Sequence, residues 1–214
     1  MNDFSIIFNH ELKSLIKSTK STILSLVLVS FFWGIFFSFN VFDYNQEKIS
    51  AIWLILFAFV ASSGFANASF ARERLVGSWE ILLASGVSRE IIFWAKLIFV
   101  QAASFFCGTT TLLIAFLIVY FVWGVIPDYS FFLVVSLFFC AALSINVFTA
   151  YFTIINVNQR AVQLINMGIM SVCSVAIYFV PQAAIAIVLI PAIFILLLCR
   201  KILYRDETIL PIVY

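Results

Sequence analysis

Charge is what this chain has least of. Lysine and arginine supply 12 of its 214 residues and aspartate and glutamate supply 10, so 10% is charged against 64% hydrophobic. A soluble domain carries about a quarter charged residues. A chain this poor in charge cannot cover itself with polar surface, and lipid is its expected solvent. The formal charge of +2 is too small, and its basic residues too dispersed, for a nucleic-acid partner. Histidine occurs once, as His10, with no ligand partner at metal-binding spacing, which argues against a metal site. The cysteines Cys107, Cys140, Cys173 and Cys199 lie singly in apolar runs. Without a Cys-x-x-Cys pair they give neither a disulfide framework nor a zinc site, and they read as small lipid- or core-facing side chains.

Catalytic signatures are missing as well. There is no Gly-x-x-x-x-Gly-Lys-Ser/Thr phosphate loop, so the chain is not itself an ATPase of that type. Neither a His-Glu-x-x-His pair nor a Gly-x-Ser-x-Gly elbow occurs, which disfavours a membrane protease or lipid hydrolase. The apolar segments carry no acid or base at mid-depth, where proton- and ion-coupled carriers commonly place one. Backbone carbonyls and hydroxyls can also bind sodium, so a carrier is disfavoured rather than excluded.

What the chain has is apolar length. A helix needs about 20 mainly apolar residues to cross a bilayer, and six segments qualify: 21–40, 49–70, 92–122, 129–151, 161–180 and 183–200. The expected fold is an all-α polytopic membrane protein, a single transmembrane domain over residues 1–214. The third segment exceeds one perpendicular crossing and is preceded by Arg89 and Glu90, with Lys96 near its start. An interfacial turn or two followed by a tilted span from about Ile98 is expected there. The last two segments are joined by Pro181-Gln182, and Pro191 lies inside the sixth; a re-entrant excursion is left open at that point. The first segment ends in Phe36-Phe-Ser-Phe-Asn40 rather than a small-x-small cleavage site, so it is expected to be retained.

Basic residues set the orientation. With six spans and a cytoplasmic N-terminus, Lys13, Lys17, Lys20, Arg72, Arg74, Arg89, Lys96, Arg160, Arg200, Lys201 and Arg205 face inward and Lys48 alone faces outward, eleven of the 12. Both termini are then cytoplasmic. Residues 3–20 read as an amphipathic helix along the cytoplasmic lipid interface. Phe4, Ile7, Phe8, Leu12 and Leu15 recur at helical spacing, while His10, Lys13, Ser14 and Lys17 point elsewhere.

One stretch breaks the shortage of charge. Residues 71–89 hold Arg72, Glu73, Arg74, Glu80 and Arg89 between two apolar segments. Read as a helix, Leu75, Val76, Trp79, Leu82 and Leu83 form an apolar stripe, with Arg72, Glu73 and Glu80 away from its centre. Gly86 serves as a stop and Ser88, with Glu90 two residues on, as a restart. A charged amphipathic island on the cytoplasmic side suits a soluble partner. Uncharged polar residues also lie within the apolar segments: Asn67, Gln101, Thr109, Thr110, Thr111, Ser144, Asn146, Thr149 and Asn166. They read either as interhelical hydrogen-bonding groups or, for Asn67, Gln101, Thr110, Asn146 and Asn166, as the lining of a substrate path.

Residues 71–89, with Ile91 and Ala95-Lys96 after them, resemble the signature of type-2 ABC exporter permeases, at Glu73, Gly77, Ser78, Glu80, Leu82, Leu83, Gly86, Val87 and Ser88. The resemblance implies that 71–89 is a coupling helix between spans two and three, seated in a separate nucleotide-binding ATPase subunit. Arg72, Glu73, Arg74, Leu75, Gly77, Trp79, Glu80, Leu82, Leu83 and Gly86 would then carry the coupling. It further implies a second permease copy or paralogue and a place in the cytoplasmic (inner) membrane. ATP and Mg would be used by the partner, with no cofactor and no enzymatic activity in this chain. Residues 3–20 would be the family's interfacial helix. The chain departs from the pattern in having Ser78 for the common Thr, Gly86 for the common Pro, and only Pro181-Gln182 where a larger external re-entrant region is frequent. Permeases of the cytochrome c maturation haem exporter share the Gly-Ser-x-Glu and Ala-Lys spacing, but Leu164-Ile-Asn-Met-Gly-Ile-Met170 lacks the prolines expected of them. Other classes compatible with the composition are an ATP-independent carrier and a membrane scaffold.

Overall fold

A computed structural model describes residues 3–17, 20–40, 47–71, 87–124, 129–155, 158–180 and 183–203. Every main element among them is helical. They are α1 (Asp3–Lys17), α2 (Lys20–Asn40), α3 (Glu47–Ala66) continuing into a π-helical turn (Asn67–Ala71), α4 (Arg89–Trp123), α5 (Tyr129–Ile155), α6 (Gln159–Phe179) and α7 (Ala184–Leu203). The physical reason is the solvent. Hydrocarbon offers no hydrogen bonds, so a spanning segment must satisfy its own backbone, and a helix does so residue by residue.

Among the described residues, five helices are long and apolar enough to cross a membrane: Ile52–Phe70, Arg89–Val122, Phe132–Thr153, Arg160–Phe179 and Ala184–Lys201. The chain has the build of a multi-pass membrane protein. The remaining expected span, 21–40, falls on α2, whose described apolar stretch is the shorter Leu28–Phe39.

The expected interfacial turn or two and the span that follows them are parts of one unbroken helix, since α4 runs 35 residues without a break. At about 1.5 Å per residue it is ~52 Å long, against ~30 Å of hydrocarbon, so it overshoots the apolar layer by ~20 Å. Both ends are fixed locally. Ser88, extended at φ −64° and ψ 140°, caps the start, its Oγ accepting from the Ile91 N–H at 3.4 Å. Gly124 closes the other end in the left-handed region, φ +67°, donating its N–H to the Tyr120 carbonyl at 3.0 Å. Asn158 caps α6 in the same manner as Ser88, accepting from the N–H groups of Arg160 and Ala161. Pro191 lies inside α7 without ending it. The joint at 181–182, where the re-entrant question arises, lies outside the described residues.

Helix α5 is the axis of the bundle and packs on α3, α4, α6 and α7, while α2 packs mainly on α4. Aromatic rings fill the space among α2, α3 and α5. Trp33 and Phe37 meet Phe57 at centroid distances of 5.2 and 5.3 Å, and Phe57 meets Phe138 at 5.4 Å. Glycine sets how closely the helices approach. A Cβ on Gly108 of α4 would lie 1.9 Å from a ring carbon of Phe138, and one on Gly34 of α2 would lie 2.7 Å from Ile114. Small residues at helix crossings bring backbones close enough for dispersion to hold them where lipid competes for every apolar contact.

Candidate functional site

The chemistry-bearing side chains converge at one corner, where α1, the π-helical turn and α4 meet. Helix α1 places Phe4, Ile7, Phe8 and Glu11 on its inner face, at the i, i+3, i+4, i+7 spacing of one helical stripe. Ile7 and Glu11 are buried, and Phe8 stands edge-on to Phe99 of α4 at 5.6 Å. Ile6, His10, Leu12 and Lys13 are exposed. The stripe read from the sequence ran through Leu12, and the structure turns it by one residue, so that a glutamate replaces a leucine on the buried side. The buried face of α1 therefore covers α4, while Ile6 and Leu12 stay exposed.

Glu11 is buried because it is paired. Its Oε1 accepts from Nζ of Lys96, and its Oε2 accepts from Oγ of Ser69 at 3.0 Å. Lys96 Nζ also donates to the Ser69 carbonyl at 3.4 Å. The Lys96 side chain is 0% exposed and that of Glu11 5%. Either ion alone in so dry a place would cost several kcal/mol, and the pair is tolerable only with its hydrogen bonds made. Ser69 contributes a hydroxyl and a carbonyl to the same cluster. It sits in the π-helical turn, where widening the helix departs from the ordinary i→i−4 ladder, a feature frequent at functional sites.

This corner has a particular relation to the charged segment. The π-helical turn ends at Ala71 and α4 begins at Arg89, so the hydrogen bond from Lys96 to Ser69 ties together the two structures from which residues 72–86 leave and to which they return. Glu11 attaches α1 to both. Lys96, which the sequence reading grouped with the cytoplasm-facing basic residues, is enclosed by protein. Sequence reasoning did not single out Glu11 or Ser69. The signal available was an acid at i+4 from Ile7 and a base at i+4 from Ile92, each standing on an otherwise apolar stripe.

The predicted coupling residues Arg72, Glu73, Arg74, Leu75, Gly77, Trp79, Glu80, Leu82, Leu83 and Gly86 lie outside the described residues. Of their neighbours, Val87 is half-buried against the core and Ser88 caps α4.

The five path candidates do not form one hydrogen-bonded cluster. Gln101 and Asn146 meet across α4 and α5: Gln101 Nε2 donates to the Phe139 carbonyl at 3.3 Å, and Asn146 Nδ2 donates to Gln101 Oε1 at 2.9 Å and Ser104 Oγ at 3.4 Å. Asn166 belongs to the α5–α6 seam, where its Nδ2 donates to Thr149 Oγ1 at 2.8 Å. Thr110 bonds back to the Phe106 and Cys107 carbonyls of its own helix. Asn67 is half-buried in the π-helical turn, with no hydrogen-bond partner for its Oδ1. Asn146 and Asn166 are buried inside the bundle, serving as interhelical hydrogen-bonding groups. Among the described residues no three His, Cys, Asp or Glu side chains converge to hold a metal ion.

Comparison with models of known protein families, with curated proteins and with solved structures gives no match to this chain.

Proposed function

We propose that this chain is the membrane-spanning permease subunit of an ATP-binding-cassette exporter of the type-2 kind. In this reading α2 and the five longer helices make six spans, with both termini in the cytoplasm of the cell whose inner membrane holds the protein. Residues 71–89 form the coupling helix. A separate ATPase subunit binds there and uses ATP and Mg, and a second permease copy or paralogue completes the path for cargo.

The observation that carries the reading is the run Glu73…Gly77-Ser-Trp-Glu80…Gly86-Val-Ser88, a charged and amphipathic stretch set between two apolar segments. Its setting supports this. The structure on either side of it, the end of the π-helical turn and the start of α4, is held together by a buried ion pair and a serine. Leu75, Trp79 and Leu82 would transmit displacement by packing, and Glu73, Arg74 and Glu80 would fix register on the partner through charge-assisted contacts. A partner can drive the membrane helices only if it engages the segment differently in its two nucleotide states.

The test is copurification. Where an ABC-type ATPase reading frame adjoins the permease's own, the permease expressed with that ATPase should retain it in detergent. Replacing 71–89 with a glycine–serine linker should release it, and Glu80→Ala should weaken retention or leave ATP hydrolysis insensitive to the permease. Undiminished retention by the linker variant would sink the proposal, as would the absence of any ATPase bound by the wild type.

A further inference from the structure

We infer that α7 is hinged at Pro191, and that Ser144 of α5 is the positioning residue that latches it. The inference concerns α7 and its neighbour alone and does not draw on the reading of 71–89. It starts from a single helix, Ala184–Leu203, with a proline inside it. Proline has no N–H, so the Ile187 carbonyl one turn back loses its ladder donor, and the ring crowds that carbonyl as well. A helix in lipid tolerates such a gap where a neighbouring helix supplies a polar group beside it. Here the neighbour is α5, on which α7 chiefly packs. Ser144 Oγ donates to the Val188 carbonyl at 2.7 Å, one residue past the freed carbonyl, and both residues are buried. The tie from α5 thus reaches α7 at the level where its own ladder is weakest.

The latch is built to release. A serine hydroxyl has one proton to donate and rotates to suit, and Ser144 Oγ has a second acceptor in the Cys140 carbonyl of its own helix, at 3.0 Å. When α7 lets go, Ser144 keeps that bond, and the Val188 carbonyl keeps the ladder N–H of Ala192. Neither partner is stranded, so opening escapes the penalty attached to an unsatisfied buried group. The Glu11–Lys96 pair is the opposite case, because parting it strands two charges. Packing permits the movement too: the buried residues of α7 on either side of the gap, Ala184, Val188 and Ala192, are all short. The two halves of α7 are anchored differently. Residues 192–203 end in exposed Arg200 and Lys201, whose charges hold that end at a membrane surface. Residues 184–190 carry no charge. The half that swings is therefore 184–190, and the half that stays is 192–203.

The experiment uses the full chain in nanodiscs of phosphatidylethanolamine and phosphatidylglycerol, with Cys107, Cys140, Cys173 and Cys199 changed to alanine. Spin-label distances are measured for two pairs at exposed positions: Leu117→Cys with Ala186→Cys for the swinging half, and Ile98→Cys with Leu197→Cys for the fixed half. With Ser144 in place, each pair is expected to give a single distance. Ser144→Ala should add a second, displaced population to the 117/186 pair and leave the 98/197 pair unchanged. Adding Pro191→Ala restores the missing ladder bond, and the second population should be lost. A 117/186 distance that ignores Ser144→Ala overturns the inference. So does equal broadening of both pairs, which would mean that α7 loosens as one rod, and so does a second population that persists in the Ser144→Ala/Pro191→Ala variant. Should the cysteine-free background fail to insert, azide-bearing side chains at the same four positions take the labels with the native cysteines retained, and the same results decide.

Discussion

Two polar regions of this bundle solve the same problem by different means. At the α1–α4 corner, full charges are buried, paired and concentrated at one point. Along α5, neutral amides and hydroxyls are spread over three seams: Gln101, Ser104 and Asn146 toward α4, Thr149 and Asn166 toward α6, and Ser144 Oγ donating to the Val188 carbonyl of α7 at 2.7 Å. The spread seams match a helix that lies deep in the bundle, whereas α7, at the rim, is mostly unburied. Lipid is as apolar as leucine, so apolar contact alone does not tell helices in a membrane which neighbour to choose. The amides supply that choice in small, separable increments. The ion pair supplies it at a single point, at a depth where each charge is too costly to leave alone. One region places helices, and the other fixes a joint.

That contrast is easiest to break at the joint. Lys96→Ala or Glu11→Ala alone strands a buried charge and should cost about 3–5 kcal/mol, while the Glu11→Leu/Lys96→Met pair, which strands none, should cost far less. Thermal unfolding of the full chain in detergent, followed by retention of monodisperse protein, checks this. Equal losses in single and double variants would show that the charges are not energetically joined.

Steric contact comes next. Gly108→Ala drives a methyl into Phe138 and should cost about 1–3 kcal/mol by overpacking. At Gly168, an added Cβ meets nothing within 4 Å, and Gly168→Ala should be neutral or stabilising by up to about 1 kcal/mol from helix propensity. The same unfolding measurement on the two alanine variants separates them, and a reversal of their order would contradict the packing of α4 on α5.

The smallest effect belongs to the amide seam. Asn166→Leu should cost about 1 kcal/mol, in the range of interhelical hydrogen bonds measured in membranes. Adding Thr149→Val should change little further, because the two positions share one bond. A double-variant loss equal to the sum of two independent losses would show that Thr149 and Asn166 are not partners.

Much of this architecture is legible from residues alone. The apolar runs locate α3 to α7 within a few residues, because a bilayer demands about 20 residues of hydrocarbon-compatible helix and little else meets that demand. Ser88 announces the start of α4, since a serine hydroxyl before an apolar run satisfies a free N–H locally. The candidate site is less legible. Helical periodicity in α1 is compatible with either Leu12 or Glu11 beside Ile7 and Phe8, and hydrophobicity favours the leucine. What reverses that preference is Lys96, 85 residues away in the chain, and periodicity holds no information about a partner at that distance. The burial of Lys96 is hidden for the matching reason: a lysine near the end of an apolar run ordinarily reaches water, and only a waiting carboxylate makes it stay inside.

The sequence by itself determined the solvent, the helices and the charged island between two apolar segments at 71–89, because composition and periodicity act locally along the chain. Tertiary structure alone decided which face of α1 turns inward, which amides on α5 pair with which helix, and that both flanks of the island are tied to Glu11. Those outcomes depend on the cost of leaving a buried polar group without a partner, and that cost is settled only when distant segments meet.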